Sequence, residues 1–207
     1  MSSQQITLVV GGSRGIGAEF VRQIAQSHPW DKVIATVRSP RSFGNPKVET
    51  LQLDINATES IKAAATQVER VDTLIVSAAI GKDELILMTP EEGFRNYLET
   101  KILGPLRVVK AFLPALRAGK LKRIILLSSY SGSLTKQKVQ LDNELNDDGF
   151  AVIPIHPGWV ATDMDNAFGE GAILVDESVA GMLKAIESLR HGDSTKYLQY
   201  DGQEVPW

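Results

Sequence analysis

The sequence predicts an α/β fold in which parallel strands and helices alternate in one doubly wound sheet. Short apolar runs rich in β-branched residues alternate with helical apolar stripes along the chain. The first run, residues 6–10, is apolar without alternation, which is typical of a strand buried on both faces of a parallel sheet. This run leads directly into a turn that contains Gly11, Gly15 and Gly17.

Length and composition limit the classes of function. The 207 residues suffice for a single domain, 1–207, with a sizeable core and no linker or internal repeat. The net charge of −3 argues against a nucleic-acid partner, and no apolar run approaches the length of a membrane span. With no cysteine and three scattered histidines, we expect no disulfide, no thiol nucleophile and no metal site. The polar start without a signal peptide indicates a cytoplasmic protein.

The glycine turn has the chemistry of an anion-binding site. Its glycines allow a sharp turn, close approach to a ligand and tight packing of the next helix. That helix carries an apolar stripe at Ile16, Phe20 and Ile24. The free amide groups and the positive dipole end of the helix would bind a pyrophosphate, as in a Rossmann fold. A glycine-rich turn alone fits a plain tight connection equally well.

The second predicted strand, residues 32–38, ends in a cation. An acidic residue at this place would bind ribose hydroxyls, whereas Arg38 accommodates a 2′-phosphate. Arg14, inside the glycine turn, would add a second positive charge. The two arginines therefore predict NADP(H), preferred over NAD(H). Each of them also fits a solvated surface charge.

The rest of the chain continues the alternation of strands and helices. A third strand, 48–54, brings Asp54 to the edge where such sheets bind ligands, although a helix cap is the plain alternative. A helix over 58–70 and a fourth strand over 72–79 follow, and the small residues that end this strand leave room beside a cofactor. The segment 89–92 has a capping-box pattern with proline at the first helical position.

The second half of the chain predicts two further helices and three further strands. Strands are expected over 123–129, 150–155 and 196–200. The apolar stripes of the helices comprise Leu106, Val109, Leu113 and Leu116 in the first, and Val179, Met182, Leu183, Ile186 and Leu189 in the second.

The order of these motifs resembles the short-chain dehydrogenase/reductase family over nearly the whole chain. The glycine turn resembles that of the family, Asp54 its acidic residue after the third strand, and Ser129 its catalytic serine. Residues 157–162 resemble its nicotinamide-side loop, and the ending 200–207 is similar to the carbonyl-reductase-like branch that includes C-factor and Sniffer. The cofactor-binding residues that the resemblance implies are Gly11, Ser13, Arg14, Gly15, Ile16, Arg38, Asp54, Ile55, Ala78, Ala79, Pro157, Gly158, Val160 and Thr162.

The resemblance implies carbonyl reduction, but part of the catalytic set is missing. In the family a hydride moves from the nicotinamide to a carbonyl carbon, a serine orients the carbonyl, and a tyrosine hydroxyl supplies the proton. That tyrosine and a lysine form a Tyr-x-x-x-Lys motif after the serine. No such motif follows Ser129, as though a loop and much of a helix had been removed. The fold can still close, because a parallel crossover needs only about a dozen residues.

Lys101 is the candidate substitute for the missing lysine. Counted back from Gly104, it stands where the family has a relay asparagine, and the family's asparagines after the fourth strand are replaced as well. Tyr97 and Lys101 have the Tyr-x-x-x-Lys spacing, but they precede Ser129 and also fit an exposed i, i+4 pair. The sharper hypothesis is that Lys101 reaches the nicotinamide ribose. Tyr130 is a second candidate proton donor, although neighbours on an extended segment point to opposite sides.

Three interpretations stay open. The first is an NADP(H)-dependent oxidoreductase acting on a small carbonyl or alcohol, with Ser129 and Lys101 in the catalytic site. The second is a non-catalytic NADP(H)-binding protein with a structural or regulatory role. The third is that the natural protein carries a segment this sequence lacks, which intact mass and peptide mapping would decide. The resemblance implies that residues 163–176 form a lid over the substrate; the segment is short here, which fits either a modest, partly apolar pocket or a mobile loop packed on the surface. Because the shortened helix serves pairing in the family, we expect a monomer or an altered homodimer.

Overall fold

A parallel sheet organises the protein. The computed structural model describes residues 4–27, 31–81, 89–128, 144–145, 147–162, 172–190, 193 and 196–205. The strands are β1 Ile6–Val10, β2 Lys32–Val37, β3 Val48–Gln52, β4 Thr73–Val76, β5 Arg123–Leu127, β6 Ala151–His156 and β7 Leu198–Gln199. They form one seven-stranded sheet in the order β3-β2-β1-β4-β5-β6-β7, and each adjacent pair is parallel. The predicted doubly wound fold is therefore confirmed.

Helices cover both faces of this sheet. Their bounds are α1 Gly15–Ser27, α2 Thr58–Ala65, α3 Glu91–Leu98, a π-helical turn Glu99–Leu103, α4 Gly104–Arg117 and α5 Val175–Ser188. One apolar core contains Leu8 and Val10 together with residues of α2 and α4, and the other contains Val9 together with residues of α1 and α5. Because successive side chains of β1 enter opposite cores, the strand is apolar at every position from Leu8 onward.

Several predicted bounds are wrong, and the neighbouring elements explain why. β4 ends at Val76 instead of residue 79, because its last paired residue faces Val10 and β1 turns away at Gly11. α2 ends at Ala65 instead of residue 70, since the amides of Gln67 and Val68 make i→i−3 bonds in place of the helical i→i−4 bonds. β7 is limited to two residues, because the chain folds back and Leu198 pairs antiparallel with Glu204.

The start of α3 and the apolar stripe of α4 also differ from the prediction. Pro90 has an extended backbone, with ψ 152°, so it precedes α3 and is not its first helical residue. Leu106 and Leu113 of α4 are only partly buried. The buried face of α4 comprises Gly104, Val108, Val109, Phe112, Ala115 and Leu116.

A buried carboxylate ties the sheet together at the amino ends of its strands. Asp72 is 2% exposed, and its oxygens accept hydrogen bonds from the backbone amides of Ile6 (2.8 Å) and Lys120 (2.7 Å). Arg70 donates a further bond to Oδ2 at 3.2 Å. The opposite edge, where β1 and β4 diverge towards different sides of the sheet, is the place where ligands bind in such folds.

Candidate cofactor-binding site

The turn after β1 can be built only with glycine. Gly11 has φ +89°, and a Cβ there would lie 2.7 Å from the backbone of Ala78, just beyond β4. A Cβ at Gly17 would overlap the carbonyl oxygen of Gly11. The amide of Gly11 donates to the Thr36 hydroxyl at 3.0 Å, which fixes the turn against the end of β2. The backbone therefore leaves the sheet tightly and opens a crevice at the diverging strands.

The amino end of α1 faces this crevice. The helix begins at Gly15 (φ +53°), and its first turn carries no acidic side chain. Amide groups that lack helical acceptors and the dipole of the helix favour an anion here. The local geometry thus fits the predicted pyrophosphate site.

A third arginine, which our sequence analysis missed, connects the two loops of the predicted 2′-phosphate site. The guanidinium of Arg41 donates to the carbonyl of Ser13 in the glycine turn and lies 5.1 Å from the centroid of the Phe43 ring. This contact brings the loop that starts at Arg38 to the turn that contains Arg14, and all three arginines are exposed. The only signal in the sequence is the basic residue three positions after Arg38.

Asp54 lies at the carboxyl end of β3, as predicted, but its carboxylate takes part in a local turn. Its Oδ1 accepts the amide of Asn56 at 3.0 Å, and its own amide donates to the hydroxyl of Ser60 at 3.0 Å. The N-cap of α2 is Ala57 and has no side-chain cap bond, so Asp54 forms a turn before the helix and is not its cap. Ile55, the next residue, is buried in the core.

The loop after β6 approaches the amino end of α1 from the other side. Gly158 has φ +84°, and a Cβ there would lie 2.6 Å from Cδ1 of Ile173. The hydroxyl of Ser178 in α5 donates to the carbonyl of Pro157 at 2.6 Å. Thr162 Cγ2 is 3.9 Å from the position of a Cβ built at Gly15. The structure therefore brings the predicted nicotinamide-side loop to the predicted pyrophosphate turn.

A groove of about 730 Å³ lies between α1 and the loop that connects β2 to β3. Its wall includes Gly15, Arg41 and Thr162 but neither Asp54 nor Ala78. It therefore borders the crevice between β1 and β4 and does not coincide with it. No group of three potential metal ligands occurs in the described parts of the chain.

Lys101 and Tyr97 contact each other on the helix surface. Lys101 lies in the π-helical turn, and its Nζ is 5.3 Å from the centroid of the Tyr97 ring. This cation–π contact is the geometry that the exposed i, i+4 alternative predicts. Ser129 and Tyr130, as well as residues 163–171 of the predicted lid, lie outside the described residues.

His156, like Arg41, lies near the candidate site but was not indicated by the sequence. It ends β6, is 9% exposed and has a side-chain hydrogen bond with the backbone of Ser128. Burial lowers the pKa of its imidazole from 6.5, and the bond to Ser128 opposes this shift in part. His156 thus lies beside the strand end that precedes Ser129, and it favours the neutral form at pH 7.

Comparisons with known proteins agree with the fold. The family model described as short chain dehydrogenase matches residues 5–140. An uncharacterized oxidoreductase of Schizosaccharomyces pombe is 31% identical over an alignment of 248 residues that covers 98% of this chain and 97% of the relative. Since that alignment is longer than the 207 residues of this chain, the relative carries residues that this chain lacks.

Two solved structures are also similar. The NADPH-bound carbonyl reductase from chicken fatty liver has a TM-score of 0.89 and 27% identity, with full coverage of both chains. A short-chain dehydrogenase from Burkholderia cenocepacia in complex with NADP has a TM-score of 0.81 and 25% identity, and the match covers 91% of this chain and 86% of that one. No helix among the described residues is long and apolar enough to cross a membrane.

Proposed function

Because the chain belongs to the short-chain dehydrogenase family, we propose that it is an NADP(H)-dependent oxidoreductase that acts on a small carbonyl or alcohol with an incomplete catalytic set. The observation that carries this proposal is the contact between Arg41 and Ser13, which joins the loop of Arg38 to the glycine turn of Arg14. Three exposed cations beside a helix amino terminus suit a 2′-phosphate next to a pyrophosphate. The solved neighbours that hold NADPH or NADP support the same cofactor.

The close packing of the glycine turn on the segment after β4 supports this proposal. A methyl group at Gly11 would collide with the backbone of Ala78, so the turn can lie against the end of β4 only because Gly11 has no side chain. In this proposal the glycine turn and α1 bind the pyrophosphate, and Asp54, Ile55, Ala78 and Ala79 surround the adenosine. The loop of Pro157, Gly158, Val160 and Thr162 holds the nicotinamide end. Bound NADPH would supply the hydride for the carbonyl carbon.

Proton transfer is the step for which the chain departs from its family. Ser129 would orient the carbonyl through its hydroxyl. Neutral His156 would hold the backbone of Ser128, the residue before Ser129, through its hydrogen bond. Lys101, whose side chain is exposed, would bind ribose hydroxyls by leaving its weak cation–π contact with the half-buried Tyr97. With the tyrosine of the family missing after Ser129, we expect turnover well below that of a complete enzyme, because one general acid contributes about 10²- to 10⁴-fold.

A non-catalytic NADP(H)-binding protein is the second candidate. The observation that favours it is the sequence between Ser129 and Phe150, which contains no Tyr-x-x-x-Lys motif. The longer alignment with the yeast relative points in the same direction. Both candidates share the cofactor site and differ only in turnover.

The test is a panel of aldehydes and ketones incubated with NADPH that carries deuterium at the transferred position. Transfer of deuterium to an alcohol product, detected by mass spectrometry, supports the oxidoreductase. Binding of NADPH without deuterium transfer to any substrate supports the non-catalytic protein. Intact mass and complete peptide mapping of the natural protein accompany the panel, because a longer natural chain would restore the usual mechanism.

A further inference from the structure

A side-chain pair connects the loop after β3 to the long helical segment of α3, the π-helical turn and α4. Asn56 Nδ2 donates to the hydroxyl of Thr100 at 3.0 Å, and the same hydroxyl donates to Asn56 Oδ1 at 3.1 Å. Thr100 is 3% exposed, whereas Asn56 is exposed. The side-chain NH₂ and the carbonyl oxygen of Asn56 thus both bond to the Thr100 hydroxyl, although the two residues are 44 positions apart in sequence.

Close backbone packing accompanies this pair. A Cβ at Gly104 would lie 2.7 Å from Cγ1 and 3.0 Å from the carbonyl oxygen of Ile55. The amide of Gly104 donates to the carbonyl of Glu99, which gives the π-helical turn its wide i→i−5 bond. The π-helical turn and the start of α4 therefore contact the loop after β3 in two ways. One is the Asn56–Thr100 side-chain pair, and the other is the close approach of Gly104 to Ile55, where a methyl group would not fit.

The two partners of the pair differ in how firmly they are held. The loop is anchored by buried Ile55 and by the bond from the Asn56 amide to Asp54. By contrast, α3 has no buried residue, so the segment before the π-helical turn has little packing of its own. Since α4 packs in the core from Gly104 onward, the loss of the Asn56–Thr100 pair would loosen α3 and the π-helical turn more than α4 or the loop.

We infer that Asn56 and Thr100 are positioning residues that hold Lys101 at a fixed place relative to the adenosine side of the cofactor site. Lys101 follows Thr100 directly, and Asn56 follows Asp54 and Ile55 directly. This inference rests on the proposed function, in which Lys101 binds at the nicotinamide ribose and Asp54 at the adenosine. In this inference neither member of the pair contacts the cofactor, and both act through Lys101.

The test is a double-mutant cycle on NADPH affinity with Thr100→Val, Lys101→Ala and the combined variant, measured by fluorescence titration. We expect Thr100→Val to weaken NADPH binding by roughly 3- to 10-fold, in proportion to the loss of two hydrogen bonds. Lys101→Ala should weaken binding in the wild-type background and have little further effect in the Thr100→Val background. Adenosine 2′,5′-bisphosphate, which lacks the nicotinamide ribose, should bind all the variants equally.

Three variants separate positioning from general stability. Thr100→Ser keeps the hydroxyl and should restore NADPH affinity. Thr73→Val removes a buried hydroxyl at the amino end of β4, the end away from the cofactor site, and should leave the NADPH affinity unchanged. If circular dichroism shows that Thr100→Val does not fold, Asn56→Ala replaces it in the cycle, because Asn56 is exposed.

The outcomes distinguish this inference from the proposed function. If the wild-type chain does not bind NADPH, both are overturned. If it binds, but the Thr100→Val and Lys101→Ala effects are simply additive, or Lys101→Ala has no effect, only the positioning role is overturned. Equal losses for NADPH and adenosine 2′,5′-bisphosphate in Thr100→Val would also overturn it, since they would indicate a general disturbance of the site.

Discussion

Replacing Arg38 by alanine should change the preference between the two nicotinamide cofactors. Arg38 is exposed at the end of β2, in the loop that Arg41 joins to the glycine turn. At 4 Å in water, one pair of unit charges contributes about 1 kcal/mol. A phosphate monoester carries about 1.5 to 2 negative charges, so the contact is worth about 2 kcal/mol, or roughly 30-fold in Kd. NADH has no 2′-phosphate and should bind the variant within about twofold of the wild type.

The assay is a fluorescence titration of wild type and Arg38→Ala with NADPH and NADH at two salt concentrations. Salt should reduce the difference between the proteins, because exposed charges are screened. Arg117→Ala is the matched control, since Arg117 is an exposed arginine that pairs with Asp148 at the far end of α4. Equal losses for the two cofactors, or no loss for NADPH, would refute the assignment of Arg38 to the 2′-phosphate.

Three further variants test the fold and the site. Gly17→Ala places a methyl group on the carbonyl of Gly11, so we expect the unfolding free energy to fall by about 1–3 kcal/mol and NADPH to bind more weakly. An unchanged melting temperature and an unchanged NADPH titration would contradict this geometry. Asp72→Asn replaces one of two buried carboxylate oxygens, so either the Ile6 or the Lys120 amide loses its acceptor. We expect a cost of about 2–4 kcal/mol in urea denaturation, while the folded variant keeps its NADPH affinity. Because burial lowers the pKa of His156, the unfolded chain binds its proton more readily, and unfolding free energy should fall as the pH drops below 6.5. In denaturation curves measured below pH 6.5, the His156→Gln variant should lose this pH dependence of the unfolding free energy. If its pH profile is identical to that of the wild type, His156 is not the responsible group.

The sequence was sufficient for the parts of the molecule that local patterns determine. The unbroken apolar run of β1 predicted burial on both faces, and Leu8 and Val9 indeed enter opposite cores. The spacing of Gly11 and Gly17 predicted a turn that the backbone can make only with glycine. Such features depend on a few consecutive residues and their period, so they are visible without a structure.

The sequence was insufficient where a contact depends on the path of distant loops. The bond from Arg41 to Ser13 joins residues 28 positions apart, and nothing in either segment specifies it. The Asn56–Thr100 pair joins residues 44 positions apart and requires the π-helical turn, which no periodicity predicted. The end of β4 at Val76 follows from the end of its partner β1, because a strand stops where its neighbour turns away.

Fluorescence titration of the purified wild-type chain with NADPH and, separately, with NADH is the decisive test of the cofactor site. We expect micromolar binding of NADPH and binding of NADH that is weaker by about tenfold or more, because Arg41 joins the loop of Arg38 to the glycine turn of Arg14. Equal affinity for both cofactors would contradict the 2′-phosphate site. No binding of either would contradict the cofactor site as a whole and leave the dehydrogenase fold as a scaffold.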